Sequence, residues 1–295
     1  MVDIWHKVGR VIRISNLGTL IFFVLNAALL VLLFCPGGIF DRNFGLLLCL
    51  YLVSVLIGVS PAGESFLAFF MGAQEIKRKD IKIRLIPLLE IVADKAKHKN
   101  PSRIRSIHLK IIHENAPNAF AVGRRTICVT DGLLELTDEE IMAVLAHEMG
   151  HLVYGHSTIQ LLIGGGNFLI SGCILLIKAI CWGFTAVCGM IAGVVSNNFW
   201  IGAVSAVFSG ISVAAVWVWT KFCSLFLMWS MRKNELLADR YAFDLGFGDA
   251  LARVLDGALR SPPENSLLKA LYSSHPHTDD RIAQLQNLGV TYSRY

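Results

Sequence analysis

The chain has 295 residues, 54% of them apolar and only 17% charged, where an ordinary soluble domain carries roughly 25%. The deficit is concentrated in particular stretches, as expected of a chain that alternates between lipid and water. The net charge of +5 is modest and its basic residues flank apolar blocks, so they read as topology determinants and exclude a nucleic-acid footprint. Seven scattered cysteines without a C-x-x-C pair exclude a disulfide scaffold and thiol redox chemistry.

In chain order, the first apolar block runs over Leu17–Phe34 and the second over 44–60, each near the lower limit of about 17 residues for a crossing. The turn Cys35-Pro36-Gly37-Gly38 joins them into a hairpin. No small-residue cleavage site follows the first block, so it reads as a retained anchor. Lys7, Arg10 and Arg13 precede the hairpin and Lys77, Arg78, Lys79, Lys82 and Arg84 follow it, while the turn holds only Arg42. The positive-inside rule puts the N-terminus and the region after residue 60 in the cytoplasm.

Apolar positions Leu85, Leu88, Leu89 and Val92 predict a helix over 81–97. Alternation predicts a strand over 105–112, and strands over 118–122 and 126–130 form a hairpin around Gly123. Thr137 and Glu140 predict a capping box that starts a helix running through His147 and His151, with Leu136 and Ile141 as a hydrophobic staple. Residues 159–229 are apolar for about seventy positions, broken only by Lys178, Asn197-Asn198 and Lys221. They predict one span over 159–177 and another over 207–229, with the stretch between interfacial, re-entrant or part of longer helices. Helices over 234–245, 249–259 and 281–288 complete the chain, the middle one ended by Ser261-Pro262-Pro263. The expected architecture is α+β, an integral membrane protein with four transmembrane helices. Its four parts are a hairpin (1–60), two cytoplasmic segments (61–158 and 230–295) and a second membrane pair (159–229).

His147-Glu148-Met149-Gly150-His151 carries the chemistry. Spacing of four on a helix puts both imidazoles on one face, within reach of one Zn²⁺, with Glu148 beside them to take a proton from the attacking water. A catalytic zinc needs a third protein ligand, for which Glu235, Asp239, Asp244, His275 and His277 are candidates. Glu235 and Asp239 lie one helical turn apart, so one can ligate while the other accepts an imidazole N–H. His156 lies five residues past His151, about 500° around an ideal helix, and is expected to point away without ligating.

The chain resembles the HtpX-type membrane metalloproteases, in the larger class that includes the CAAX prenyl endopeptidases. The motifs that carry this are Asn118-Ala119-Phe120-Ala121, the His147-to-His151 helix, Glu235 with Asp239, and Ser274-His275-Pro276 with Arg281-Ile282, in that order. The family has threonine where Ser274 stands. The resemblance implies a gluzincin-type cytoplasmic domain with one zinc per chain held by His147, His151 and Glu235. Glu148 would be the general base and Asp239 the support of a ligand histidine. It further implies ATP-independent quality control of misfolded or damaged membrane proteins in a bacterial inner membrane, as part of a stress response, with no nucleotide bound. Because His147 and Glu235 would share the metal, an even number of crossings, two, must separate them. His275 or Arg281 could supply an oxyanion donor, and Asn118, Ala119, Phe120, Ala121 and Val122 would form an edge strand that adds extended substrate. Rival readings are a prenyl-protein-type processing protease, which needs a larger chamber than four short spans provide, and a catalytically silent scaffold or chaperone, which has no need of Glu148.

Overall fold

A computed structural model describes residues 14–35, 37–104, 106–163, 169–257 and 276–293. Helix α1 (Leu17–Phe34) rises to the turn at 35–41, and α2 (Arg42–Gly58) returns from it, capped by the Asp41 carboxylate on the Asn43 N–H at 2.8 Å. The Ser60 hydroxyl then accepts the Gly63 N–H, and Pro61 opens a new helix, α3 (Pro61–Phe70), whose axis turns 71° from α2. The second predicted span therefore ends in a bend just before residue 60.

A two-residue strand β1 (Gln74–Glu75) leads into α4 (Lys79–Lys99), which buries the four apolar positions that predicted it. Strands β2 (His108–Ile112), β3 (Ala119–Val122) and β4 (Thr126–Thr130) follow, and the sheet order is β1-β2-β4-β3. The β3–β4 pair is the expected antiparallel hairpin, with Phe120 opposite Cys128, and β2 runs parallel to β4. β3 thus lies at the edge of the sheet. The predicted strand over 105–112 is shorter, starting at His108.

Helix α5 (Asp138–Tyr154) starts on the expected capping box, with both reciprocal contacts present between Thr137 and Glu140. It stops at Gly155, whose φ of 76° lies in the left-handed region that glycine alone enters without strain. A short α6 (His156–Leu161) follows. Helices α7 (Leu169–Val195) and α8 (Phe199–Asp244) then form a long antiparallel hairpin. Here the structure lengthens the elements read from the sequence: 207–229 lies within α8, the predicted span over 159–177 falls partly outside the described residues, and α7 runs on to a break at Ser196-Asn197-Asn198. There Asn197 takes a φ of 53° and the Asn198 side chain caps α8 through the Trp200 N–H. The stretch between the two predicted spans belongs to two long helices, the last of the three expected alternatives. The predicted helix over 234–245 is not a separate helix, since α8 runs unbroken for 46 residues. At 1.5 Å per residue it is about 69 Å long, more than twice a bilayer's hydrocarbon thickness. Helix α9 (Gly248–Asp256) and α10 (Thr278–Asn287) match the predictions over 249–259 and 281–288, α10 starting three residues earlier, while the expected stop at Ser261-Pro262-Pro263 lies outside the described residues.

The molecule is mostly helical with a small sheet. By length and composition, three described helices can cross a membrane: α1, residues 174–195 of α7, and α8. The bent α2–α3 pair makes a fourth if it counts as one span. The main core joins both polar segments, with Leu85, Ile127, Leu145, Met149, Tyr241, Leu251 and Leu285 fully buried among α4, the sheet, α5, the end of α8, α9 and α10. Gly150 makes this packing possible. A Cβ there would sit 3.0 Å from the Ala238 Cα and 3.1 Å from the Tyr241 Cβ, so α5 and α8 touch backbone to backbone.

Candidate active site

The close crossing of α5 and α8 delivers the motif residues to one point. His147 and His151, a turn apart on α5, bring their Nε2 atoms within 3.1 Å with the rings edge to face. From α8, the Glu235 carboxylate reaches both: Oε1 lies 3.2 Å from the His151 Nε2 and Oε2 lies 3.6 Å from the His147 Nε2. Ligands bonded to one tetrahedral zinc at about 2.0–2.1 Å stand roughly 3.3 Å apart, so these three separations match such a donor set. His147, His151 and Glu148 also bring one ligand atom each within 4.8 Å of one another. Glu148 stands farther from the shared point, 3.9 Å from the His147 Nε2, and its other oxygen is occupied. That oxygen accepts the Ala121 N–H from β3 at 2.7 Å.

Behind the imidazoles lies a supporting row. The Asp239 Oδ1 is 2.8 Å from the His147 Nδ1. Arg281 donates to Asp239 from Nε at 2.7 Å and from Nη2 at 2.6 Å, while its Nη1 sits 3.4 Å from Glu235. Arg281 lines the cleft as expected, but two of its three nitrogens serve Asp239, so its geometry is that of a brace. His156 corrects the sequence reading. It is buried, and its Nδ1 lies 3.2 Å from the His151 Nδ1. An unbroken helix would turn His156 about 500° from His151, but Gly155 breaks the helix and resets the phase. A glycine four residues past His151 was the available signal.

The other third-ligand candidates lie elsewhere. Asp244 pairs with Lys99 at 2.7 Å, and the partly exposed His277 caps α10 by accepting the Asp279 N–H. His275 lies outside the described residues. The cleft holds about 300 Å³ and is lined by Asn118, Ala119, Phe120 and Ala121 along one wall. Val122 turns instead into a small core with Ala68, Ala73 and Cys128. Gln160, Met231, Val144 and Leu251 complete the lining, and no sequence motif marked them.

His147, Glu148, His151, Glu235, Asp239 and Arg281 are all buried. Three carboxylates against one guanidinium leave two negative charges when the imidazoles are neutral, which a divalent cation would balance. The ionisation preferences agree. Burial opposes a charged His147, yet Asp239 and Glu235 outweigh it and push its pKa up to about 10, a pull on positive charge that a metal would also satisfy. Burial raises the Glu148 carboxyl above the ordinary range, in the direction a general base needs. Burial works against ionised Asp239 too, but the Arg281 guanidinium overcomes it and holds that carboxyl low.

A motif helix of this kind, flanked by helices of membrane length, restricts the reading to one class, the membrane metalloproteases. Residues 83–289 match Peptidase family M48, and the chain belongs to that family. It is 29% identical over 217 residues to a Protease HtpX homolog of Neisseria meningitidis serogroup B, covering 68% of this chain and 72% of the relative. It is 32% identical over 165 residues to Protease HtpX of Legionella pneumophila (strain Philadelphia 1), covering 54% and 55% respectively. The crystal structure of S. mikatae Ste24p superposes with a TM-score of 0.52 at 17% identity, over 97% of this chain and 67% of that one, a likeness of fold. The resemblance to the HtpX-type membrane metalloproteases therefore stands.

Proposed function

We propose that the chain is a zinc endopeptidase of the gluzincin type, with His147, His151 and Glu235 holding one zinc ion. The observation that carries this is the convergence of the two Nε2 atoms and the Glu235 carboxylate, with separations of 3.1, 3.2 and 3.6 Å. When bound, zinc supplies Lewis acidity that polarises the scissile carbonyl and acidifies the attacking water. Glu148 accepts the proton from that water and passes it to the leaving nitrogen, its carboxylate aimed by the Ala121 N–H. Asp239 fixes the ring orientation and tautomer of His147, and Arg281 keeps Asp239 ionised and in place.

The substrate class is an extended polypeptide. β3 is an edge strand whose Ala121 N–H points at Glu148, so the backbone facing the cleft on that side can pair with an incoming chain and leave side-chain choice loose. The catalytic unit would be assembled from 61–158 and 230–295, since the main core draws on both. Basic flanks at Lys77 to Arg84 and at Arg232-Lys233 favour a cytoplasmic site in a bacterial inner membrane. We assign it to quality control of membrane proteins there, in keeping with the HtpX-like pattern.

The test is cleavage of an unstructured protein by detergent-purified, zinc-loaded enzyme beside Glu148→Gln, with bound zinc counted in both. Turnover by the wild type alone, with about one zinc in each, is the expected result. A correctly folded protein that takes up no zinc would sink the reading.

A further inference from the structure

Helix α3 divides into two faces that do different things. Phe66, Phe69 and Phe70 fall on one side by helical spacing and are 60%, 79% and 79% exposed, with the Phe66 and Phe70 rings stacked at 6.4 Å. On the opposite side Ala68 is buried in a small core with Val122 and Cys128, against which Phe120 packs. Glu64, on that same side, reaches the β3–β4 turn. Its carboxylate accepts the Arg124 N–H at 3.1 Å and the Thr126 hydroxyl at 2.7 Å. The turn is held from its other flank by Ser157, whose hydroxyl donates to the Gly123 carbonyl at 2.7 Å.

Helix α3 begins three residues after α2 ends and lies across its direction, turned by 71°, with its exposed aromatic face starting at Phe66. Seven residues past Phe70 the chain becomes basic. Lys77, Lys79 and Lys82 are exposed and make no ion pair among the described residues, whereas Arg78 is paired with Asp80 and Glu75 lies 3.8 Å from Lys110. By helical spacing Lys79 and Lys82 share a face of α4 with Ile83 and Ile86, 75% and 36% exposed. Aromatic rings beside unpaired lysines, continuous with an apolar helix, are what a headgroup layer accommodates.

We propose that α3 and the basic stretch after it dock on the membrane surface against anionic lipid headgroups, and that this docking braces the substrate-facing strand β3. The lipid contact stands on exposure, charge and continuity with α2. The bracing rests on the peptidase reading above, because it runs through Glu64 and the Val122–Phe120 packing into the cleft wall. Lipid composition then sets how firmly the β3 wall is held.

The test puts a photoreactive benzoylphenylalanine at Phe70 of the full chain, one copy per nanodisc, in lipid with about one-third anionic headgroups. After illumination, adduct masses should be those of lipids, with anionic lipid above its share of the bilayer. That excess should vanish when Lys77→Gln, Lys79→Gln and Lys82→Gln are combined. Adducts to protein alone, or lipid adducts that follow bulk composition in both proteins, would overturn the contact. In parallel, wild-type cleavage of an unstructured protein should run about threefold faster in anionic than in zwitterionic discs, and the triple variant should keep the zwitterionic rate in both. Equal wild-type rates in the two discs would overturn the bracing. Expected adducts with no cleavage in any disc would count against the peptidase reading and support the lipid contact.

Discussion

The two ends of α8 obey opposite rules. Over 199–222 its large apolar side chains face outward, with Trp200 72% and Phe208 70% exposed, as in a helix whose solvent is hydrocarbon. Beyond residue 229 the same helix buries Asn234, Glu235 and Asp239. One end is apolar outside, the other polar inside. A single rigid element thus carries a carboxylate pair from the membrane to the motif helix, and rigidity matters because metal ligands tolerate little misplacement. Substitutions should therefore act quite differently at the two ends.

The largest effect is expected at the polar end. Glu148→Gln should lower turnover by about 10³-fold while bound zinc stays the same, which single-turnover assays and metal analysis would separate. A variant that also loses zinc would move Glu148 from base to ligand.

Asp239→Asn comes next. It leaves the buried Arg281 with a neutral partner and the His147 Nδ1 without its carboxylate, so zinc affinity should fall about 10- to 100-fold and stability by about 3 kcal/mol. Chelator competition and thermal unfolding of the metal-free protein would read the two losses independently.

The same glycine-to-alanine change made in two places sharpens the contrast. Gly150→Ala should cost about 1–3 kcal/mol, because backbone on α8 stands in the way. Gly183→Ala in α7 meets nothing within 4 Å and should leave the melting temperature unchanged or slightly raised. Equal effects would mean that the α5–α8 crossing is looser than its geometry.

His156→Ala should weaken zinc binding about tenfold, since His151 loses the ring that faces its Nδ1. Unchanged affinity in chelator competition would make His156 a packing residue only.

The smallest effect concerns pH. Burial slightly opposes ionised Asp249, but hydrogen bonds from Thr291 and Tyr292 outweigh it and hold the carboxyl below its ordinary value. A depressed carboxyl stabilises the fold above its unfolded pKa, and that contribution disappears as pH falls through the folded value. The protection factors of the amides over 290–293, taken against the intrinsic exchange rate at each pH, should therefore fall in acid, and Asp249→Asn should show the same loss of protection at neutral pH. Protection that does not change with pH there would remove Asp249 as the anchor.

What the sequence determined by itself was local. The capping box of α5, the hairpin around Gly123, the apolar stripe of α4 and the i, i+4 histidines are set by residues within a few positions of each other. Their periodicity and end signals are visible without any partner. The membrane regions were legible as regions, yet their boundaries were not, since hydropathy averages over a window and a helix in lipid stops only where a polar turn such as Asn197-Asn198 stops it. Only the tertiary structure decided the rest. Glu235, Asp239 and Asp244 share one helix and similar chemistry. Which of them reaches two imidazoles some 85 residues earlier depends on where α8 crosses α5, and Gly150 sets that crossing. The return of His156 to His151, the Ala121 N–H on Glu148 and the grip of Glu64 on the β3–β4 turn are likewise contacts between elements. Their physical cause is close packing, which acts between surfaces that a linear pattern does not bring together.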